Sequence, residues 1–171
     1  MKRVFAYLLK TAGFAVIYFL AAKLGFLLFA ADSAAATVSP ASGIALAVLL
    51  LGGIRYFPGI AIGAALANFS EGLPLLATLG IALGDTLASM LATWLLHREG
   101  FSVSFERLED ALRLLVIGAV ASQLLGAAVG TASLALGGVL PAGFMLVWIV
   151  WWMGAALGVA LITPVLLSWV A

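Results

Sequence analysis

The chain has 171 residues, of which 65% are hydrophobic and only 9% charged, with a mean hydropathy of +1.27. A soluble domain runs near ~25% charged and ~45–50% apolar, so a water-soluble globule and a disordered chain are both excluded. The absence of cysteine excludes disulfides, thiolate metal sites and cysteine nucleophiles, and a net charge of +1 gives no steering toward nucleic acid.

What remains is a polytopic membrane protein. A hydrocarbon core of ~30 Å needs ~20 apolar residues in helix. The charges and the Pro/Gly clusters cut the chain into six such pieces. The first predicted span covers 8–30. Its basic flank, Lys2 and Arg3, suggests a signal peptide, but the apolar run is too long and no small-residue cleavage site follows it. A break at Asp32 to Pro40 leads to the second span, 38–54, closed by Arg55 and Pro58. The third, 58–70, is short and ends at Glu71, Gly72 and Pro74. Spans two and three either cross separately or form one tilted hairpin that does not fully cross. The fourth span covers 75–96, and the charged segment His97 to Asp110 follows. The fifth covers 108–134, a turn at Gly137, Gly138 and Pro141 follows, and the sixth covers 143–170. No segment alternates with period two, so none reads as a strand. The expected fold is all-α, a bundle of about six Gly-rich transmembrane helices forming one domain over 1–171.

Lys and Arg set the orientation of such a bundle. Lys2, Arg3, Lys10, Arg55, Arg98, Arg107 and Arg113 all fall on one side if there are six spans; Lys23, inside span one, is the exception. Both termini are therefore expected to be cytoplasmic.

Four small-xxx-small motifs lie on four spans: Gly59 to Gly63, Gly80 to Gly84, Gly126 to Gly130 and Gly154 to Gly158. In lipid, helices associate through close backbone approach at such residues. They read as the glue of one compact bundle, with a homodimer face as the competing role.

Ionisable residues at membrane depth are costly and usually functional. Asp85 sits about ten residues into span four, with Thr78, Ala82, Ser89 and Thr93 at helical spacing around it. Lys23, Asn68, Gln123, Ser42, Trp151 and Trp152 all fall in the outer half of the bundle. Together they suggest a ligand cavity open to the outer face, with Asp85 and Lys23 as charged walls, Asn68, Gln123 and Ser42 as hydrogen bonders, and the tryptophans as lining. The bland alternative is a Trp belt at the interface and an Asp85–Lys23 pair. His97 is the only histidine and has no partners for a metal site. No P-loop, nucleotide fingerprint or paired-Asp signature is present, so nothing argues for an enzyme, a cofactor or a metal. In the inner loop, Ser104 is placed to cap a helix whose first turns carry Glu106, Glu109 and Asp110, with Glu109 and Arg113 as an i,i+4 pair.

The succession Pro40-Ala-Ser-Gly43-Ile-Ala-Leu-Ala47, Arg55-Tyr-Phe-Pro58-Gly59 through Asn68, Gly80-Ile-Ala-Leu-Gly-Asp-Thr-Leu-Ala88, Arg107-Leu-Glu-Asp-Ala-Leu-Arg113 and Trp151-Trp-Met-Gly154 with Pro164 resembles the membrane-associated sensor domain family of the first class, MASE1. The single motifs are apolar and weak, and their order over about 38–169 is the specific signal. The resemblance implies a bacterial inner-membrane signal-input module, set N-terminal to a histidine kinase or a cyclic-di-GMP synthase or hydrolase. Its partners would be the bilayer, an unidentified small-molecule or protein signal, and a cytoplasmic output domain. The chain departs from the family pattern at Ser39, where an aromatic is usual, and at Ala155, where an acid is usual. With no output domain before Ala171, the chain is either a fragment or a short stand-alone version. The alternative class is the substrate-binding membrane subunit of a vitamin or metabolite importer.

The lack of native cysteine makes the topology directly testable. In intact spheroplasts an impermeant maleimide is expected to label Glu71→Cys and Val139→Cys but not Ser104→Cys. Labelling of Ser104→Cys alone, or of all three equally, refutes the six-span arrangement.

Overall fold

The computed structural model describes residues 2–29, 38–104, 107–141 and 143–170. The expected break at Asp32, the acid at Glu106 and the end at Ala171 lie outside the described residues. The described residues form six helices: α1 (Lys2–Phe29), α2 (Pro40–Gly52), α3 (Phe57–Ser70), α4 (Leu75–Arg98), α5 (Leu108–Leu136) and α6 (Phe144–Val170). Among the described residues there is no strand. The boundaries follow the punctuation in the sequence. Pro40, Pro58 and the Pro74 that precedes Leu75 lie at or beside helix starts, where a missing N–H costs nothing. Gly53, at φ +92, makes the turn after α2 that most side chains could not.

Four helices, α1, α4, α5 and α6, are long and apolar enough to cross a membrane. Their large exposed side chains, such as Leu20, Leu83, Val116 and Leu161, form the outward surface. An apolar exterior around an interior of small and hydroxyl residues suits a lipid solvent. At 13 and 14 residues, α2 and α3 are about 20 Å long, short of the ~30 Å core. They do not pair with each other as the tilted-hairpin reading would have it. A single 3-10 turn, Ile54–Tyr56, joins them, and then α3 packs on α1 and α4 while α2 packs mainly on α6.

Helix α2 runs parallel to α6 but starts far along it. The Ser39 N–H donates to the carbonyl of Gly154 at 2.9 Å, and Gly154 lies ten residues into α6. At 1.5 Å per residue, that is about 15 Å from the start of α6, near mid-span. The backbones touch here: a Cβ on Gly158 would overlap the Ser39 carbonyl oxygen, and one on Gly43 would overlap the Gly158 carbonyl. Thr163 Oγ1 donates to the Gly43 carbonyl at 2.9 Å just beyond.

The other small-xxx-small motifs serve the remaining interfaces within this one chain. Gly59 and Gly63 seat α3 against Phe14 and Tyr18 of α1; Gly80, Gly84 and Gly126 bring α4 and α5 together along the most extensive interface; Gly130 receives the Trp151 ring of α6. Polar side chains at depth turn back on their own helices. Thr86, Ser89, Thr93 and Ser133 each donate to the carbonyl four residues earlier.

Helix α5 is not uniform. Residues Leu114–Ala121 wind as a π-helix. The Gln123 side-chain amide donates to the Gly118 carbonyl at 3.2 Å, and the Trp152 indole N–H reaches across from α6 to the Val120 carbonyl at 3.0 Å. The helix begins at Leu108 with Arg107 in the capping position, so Ser104 is not the cap; its hydroxyl pairs with Ser102 instead. The Glu109–Arg113 pair forms at 3.3 Å.

Gly158→Ala is expected to lower the melting temperature of the detergent-solubilised protein by several degrees, since overpacking costs about 1–3 kcal/mol. Gly13→Ala, where an added Cβ meets nothing within 4 Å, should leave it unchanged or raise it slightly. Equal effects of the two would refute the close α2–α6 approach.

Candidate functional site

Because α2 starts part-way along α6, space is left above its first turn. Five of the six helices wall this space. Tyr18 comes from α1, Ser39, Pro40 and Ala41 from the start of α2, Asn68 from α3, Ile81 and Asp85 from α4, and Trp151 from α6. Asp85 is ten residues into α4, about 15 Å from its start, the same depth as Gly154 on α6.

The cavity measures about 50 Å³. A water needs roughly 10–15 Å³ on this measure, so a few waters or one small polar solute fit. A drug-sized ligand occupies ~300–1,000 Å³ and does not.

The chemistry is one carboxylate among neutral donors. The Tyr18 hydroxyl, on a buried side chain, donates to Asp85 Oδ2 at 2.8 Å. Ser39 presents a hydroxyl that shares a hydrogen bond with Ser42 at 2.9 Å. Asn68 is buried, its amide N–H donating to the Ala64 carbonyl at 2.8 Å, which leaves its carbonyl oxygen for the cavity side. The first turn of α2 adds the partial positive charge of a helix N-terminus. A carboxylate, a phenol, a serine and an amide can coordinate a small hydrogen-bonding solute or an ordered water cluster. Among the described residues no three His, Asp or Glu side chains gather.

The structure divides the residues expected from sequence. Asp85, Asn68 and Trp151 meet in the cavity, and Ser42 stands behind Ser39 at its edge. Lys23 does not join them. It pairs with Glu71 across the α1–α3 interface, so the charge that seemed the natural partner of Asp85 is taken by another carboxylate. Gln123 and Trp152 hold the π-helical carbonyls of α5 and do not line the cavity. Trp152 and Trp148 stack with centroids 6.4 Å apart.

Two residues were missed. Tyr18 is the direct partner of Asp85, and its signal was its depth, since a tyrosine sixteen residues after Lys2 is too far into α1 to belong to an interface belt. Asp110 reads in sequence only as a helix-start charge. It is buried, accepts the Ser102 N–H at 3.1 Å, and lies 3.5 Å from Arg113, folding the loop back onto α5.

A hydrogen bond to a charged group contributes about 1.5–3 kcal/mol. Tyr18→Phe should therefore destabilise the wild-type protein more than it destabilises an Asp85→Asn background. Thermal melts of the four-member cycle should give a coupling of about 1–2 kcal/mol. Additive effects would mean that the two side chains do not interact.

Comparison with curated proteins and with solved structures gave no match. Comparison with protein families gave MASE1, matched over residues 11–171. That match takes in α1 from Thr11 onward, the other five helices and the whole cavity wall, and MASE1 is a membrane-associated sensor domain of signalling proteins. The chain belongs to the MASE1 family.

Proposed function

We propose that this domain is the signal-input module of a bacterial inner-membrane signalling protein of the histidine kinase or cyclic-di-GMP type, and that it reads its signal at the Asp85 cavity. Both termini lie on the cytoplasmic side in this reading, so that α6 leads directly to an output domain or partner. The carrying observation is the cavity itself: a carboxylate at mid-span, alone among the described wall residues and held by Tyr18, where five helices converge. A small polar solute is the ligand class its volume supports. The family match and the small volume favour this reading over an importer subunit, whose substrate would need a larger pocket.

Relay follows from the wall. Helix α6 contributes Trp151 to the cavity and, one turn on, accepts the Ser39 N–H at Gly154. An occupant that binds one arrangement of α2 and α6 better than another shifts the balance between them, and that differential affinity is the signal.

The test fuses the chain to a cytoplasmic diguanylate cyclase reporter and follows cyclic-di-GMP across growth conditions that modulate the wild type. Asp85→Asn is expected to hold the output at one level while membrane abundance stays the same. A variant whose output still tracks the wild type overturns the assignment of the site.

A further inference from the structure

At the opposite end of the bundle a second feature stands apart from the Asp85 cavity. The face of α1 carrying Arg3, Tyr7, Lys10 and Phe14, spaced at three to four residues, is turned toward the end of α2 and the turn after it. Two adjoining open grooves lie there, of about 250 and 300 Å³, and Lys10 and Tyr56 belong to both. The first groove is basic, walled by Arg3, Lys10 and Arg55. The second continues away from it between Phe14, Val48 and Leu51 and is apolar.

The floor is built. Tyr7 and Tyr56 pack with ring centroids 5.7 Å apart, and the Tyr7 hydroxyl donates to the Arg55 carbonyl at 2.8 Å. The Arg55 guanidinium lies over the Tyr56 ring, 5.2 Å from its centroid. Among the described residues, Arg3, Lys10 and Arg55 make no ion pair, and no Asp or Glu lines either groove. Three exposed cations without a counter-ion repel one another, and a bound anion removes that cost.

The positive-inside rule accounts for cations at this end of the chain. It does not account for three of them converging on one concavity that is continuous with an apolar slot. That combination matches one chemistry, a phosphate with a hydrocarbon chain attached. We propose that this groove binds an anionic phospholipid, with the headgroup phosphate between Arg55, Lys10 and Arg3 and an acyl chain along Phe14, Val48 and Leu51. Arginine offers paired N–H donors to phosphate, and lysine reaches the interface along its own apolar stem.

The experiment measures thermal melting of the detergent-solubilised chain by tryptophan fluorescence against added lipid. Dioleoyl-phosphatidylglycerol is expected to raise the melting temperature saturably, while dioleoyl-phosphatidylcholine and inorganic phosphate do not. At about 1 kcal/mol per basic residue near an anionic surface, Lys10→Gln/Arg55→Gln should weaken the apparent affinity about thirtyfold. Arg98→Gln, which removes a cation at the same end but outside the groove, should leave it unchanged. Should the double variant fail to fold, Arg3→Gln carries the same comparison with a smaller loss. An equal response to phosphatidylcholine, a response to phosphate alone, or unchanged phosphatidylglycerol affinity in the groove variants overturns the proposal.

Discussion

A helix that begins inside a hydrocarbon layer has no water to accept its unpaired N–H groups, so protein must supply the partners. Here α2 begins at mid-depth, and the partner is the backbone of α6, through the Ser39 to Gly154 hydrogen bond. That bond requires the two backbones to touch, which is why glycine stands at 43 and at 158. The rest of the architecture depends on this contact. It fixes where α2 starts, leaves the cavity above its first turn, and brings the α2 terminus toward the side chains of α1, α3 and α4.

The contrast between the two ends of the bundle follows from charge economy. Seven of the eight basic residues fall in the N-terminal third of α1, the α2–α3 turn, the end of α4 and the start of α5, which the antiparallel packing gathers at one end. The eighth, Lys23, is matched to Glu71 at the other. Asp85 is thereby left without a cation and is held by a neutral phenol. An ion pair would fix a carboxylate more firmly than a phenol and a few polar neighbours do. In the proposed reading a carboxylate kept this way stays open to exchange its partners with a solute.

The helices were legible in the sequence because lipid imposes long apolar runs and the chain punctuates them with Pro, Gly and charge. All six expected spans correspond to helices with ends within a few residues, apart from the first, which extends back to Lys2. Asp85 was legible for the same reason, as a charge standing out in an apolar span. What could not be read was depth. Residues 38–54 look like a short span, and nothing in their composition says that Pro40 lies beside Gly154 rather than at the membrane surface. Pairing was equally hidden. Lys23 has two carboxylates within plausible reach in sequence, and only the parallel packing of α1 on α3 selects Glu71. Gln123 and Trp152 looked like ligand residues because polar groups at depth need a purpose. Their purpose is the π-helical stretch of α5, whose displaced carbonyls no periodicity argument predicts.

That stretch bears on how α6 is held. Along its most apolar stretch the helix has fewer fully buried residues than the other three long helices. Among the described residues its polar attachments to other helices are few: Gly154 and Thr163 to α2, and Trp152 to the Val120 carbonyl of α5. The α4–α5 interface, closed by glycines on both sides, gives a fixed frame. Helix α6 is bound to that frame by the Trp152 indole and by the Trp151 ring packed on Gly130, and to α2 by the Ser39 to Gly154 bond beside the cavity and the Thr163 to Gly43 bond further along. In the proposed reading α6 shifts as a unit when these attachments change, because its apolar lipid contacts are equivalent before and after the shift. Ser39 thus belongs both to the wall of the cavity and to the attachment of the last helix. In the proposed reading this shared residue lets a solute of a few atoms bias the position of a helix 27 residues long.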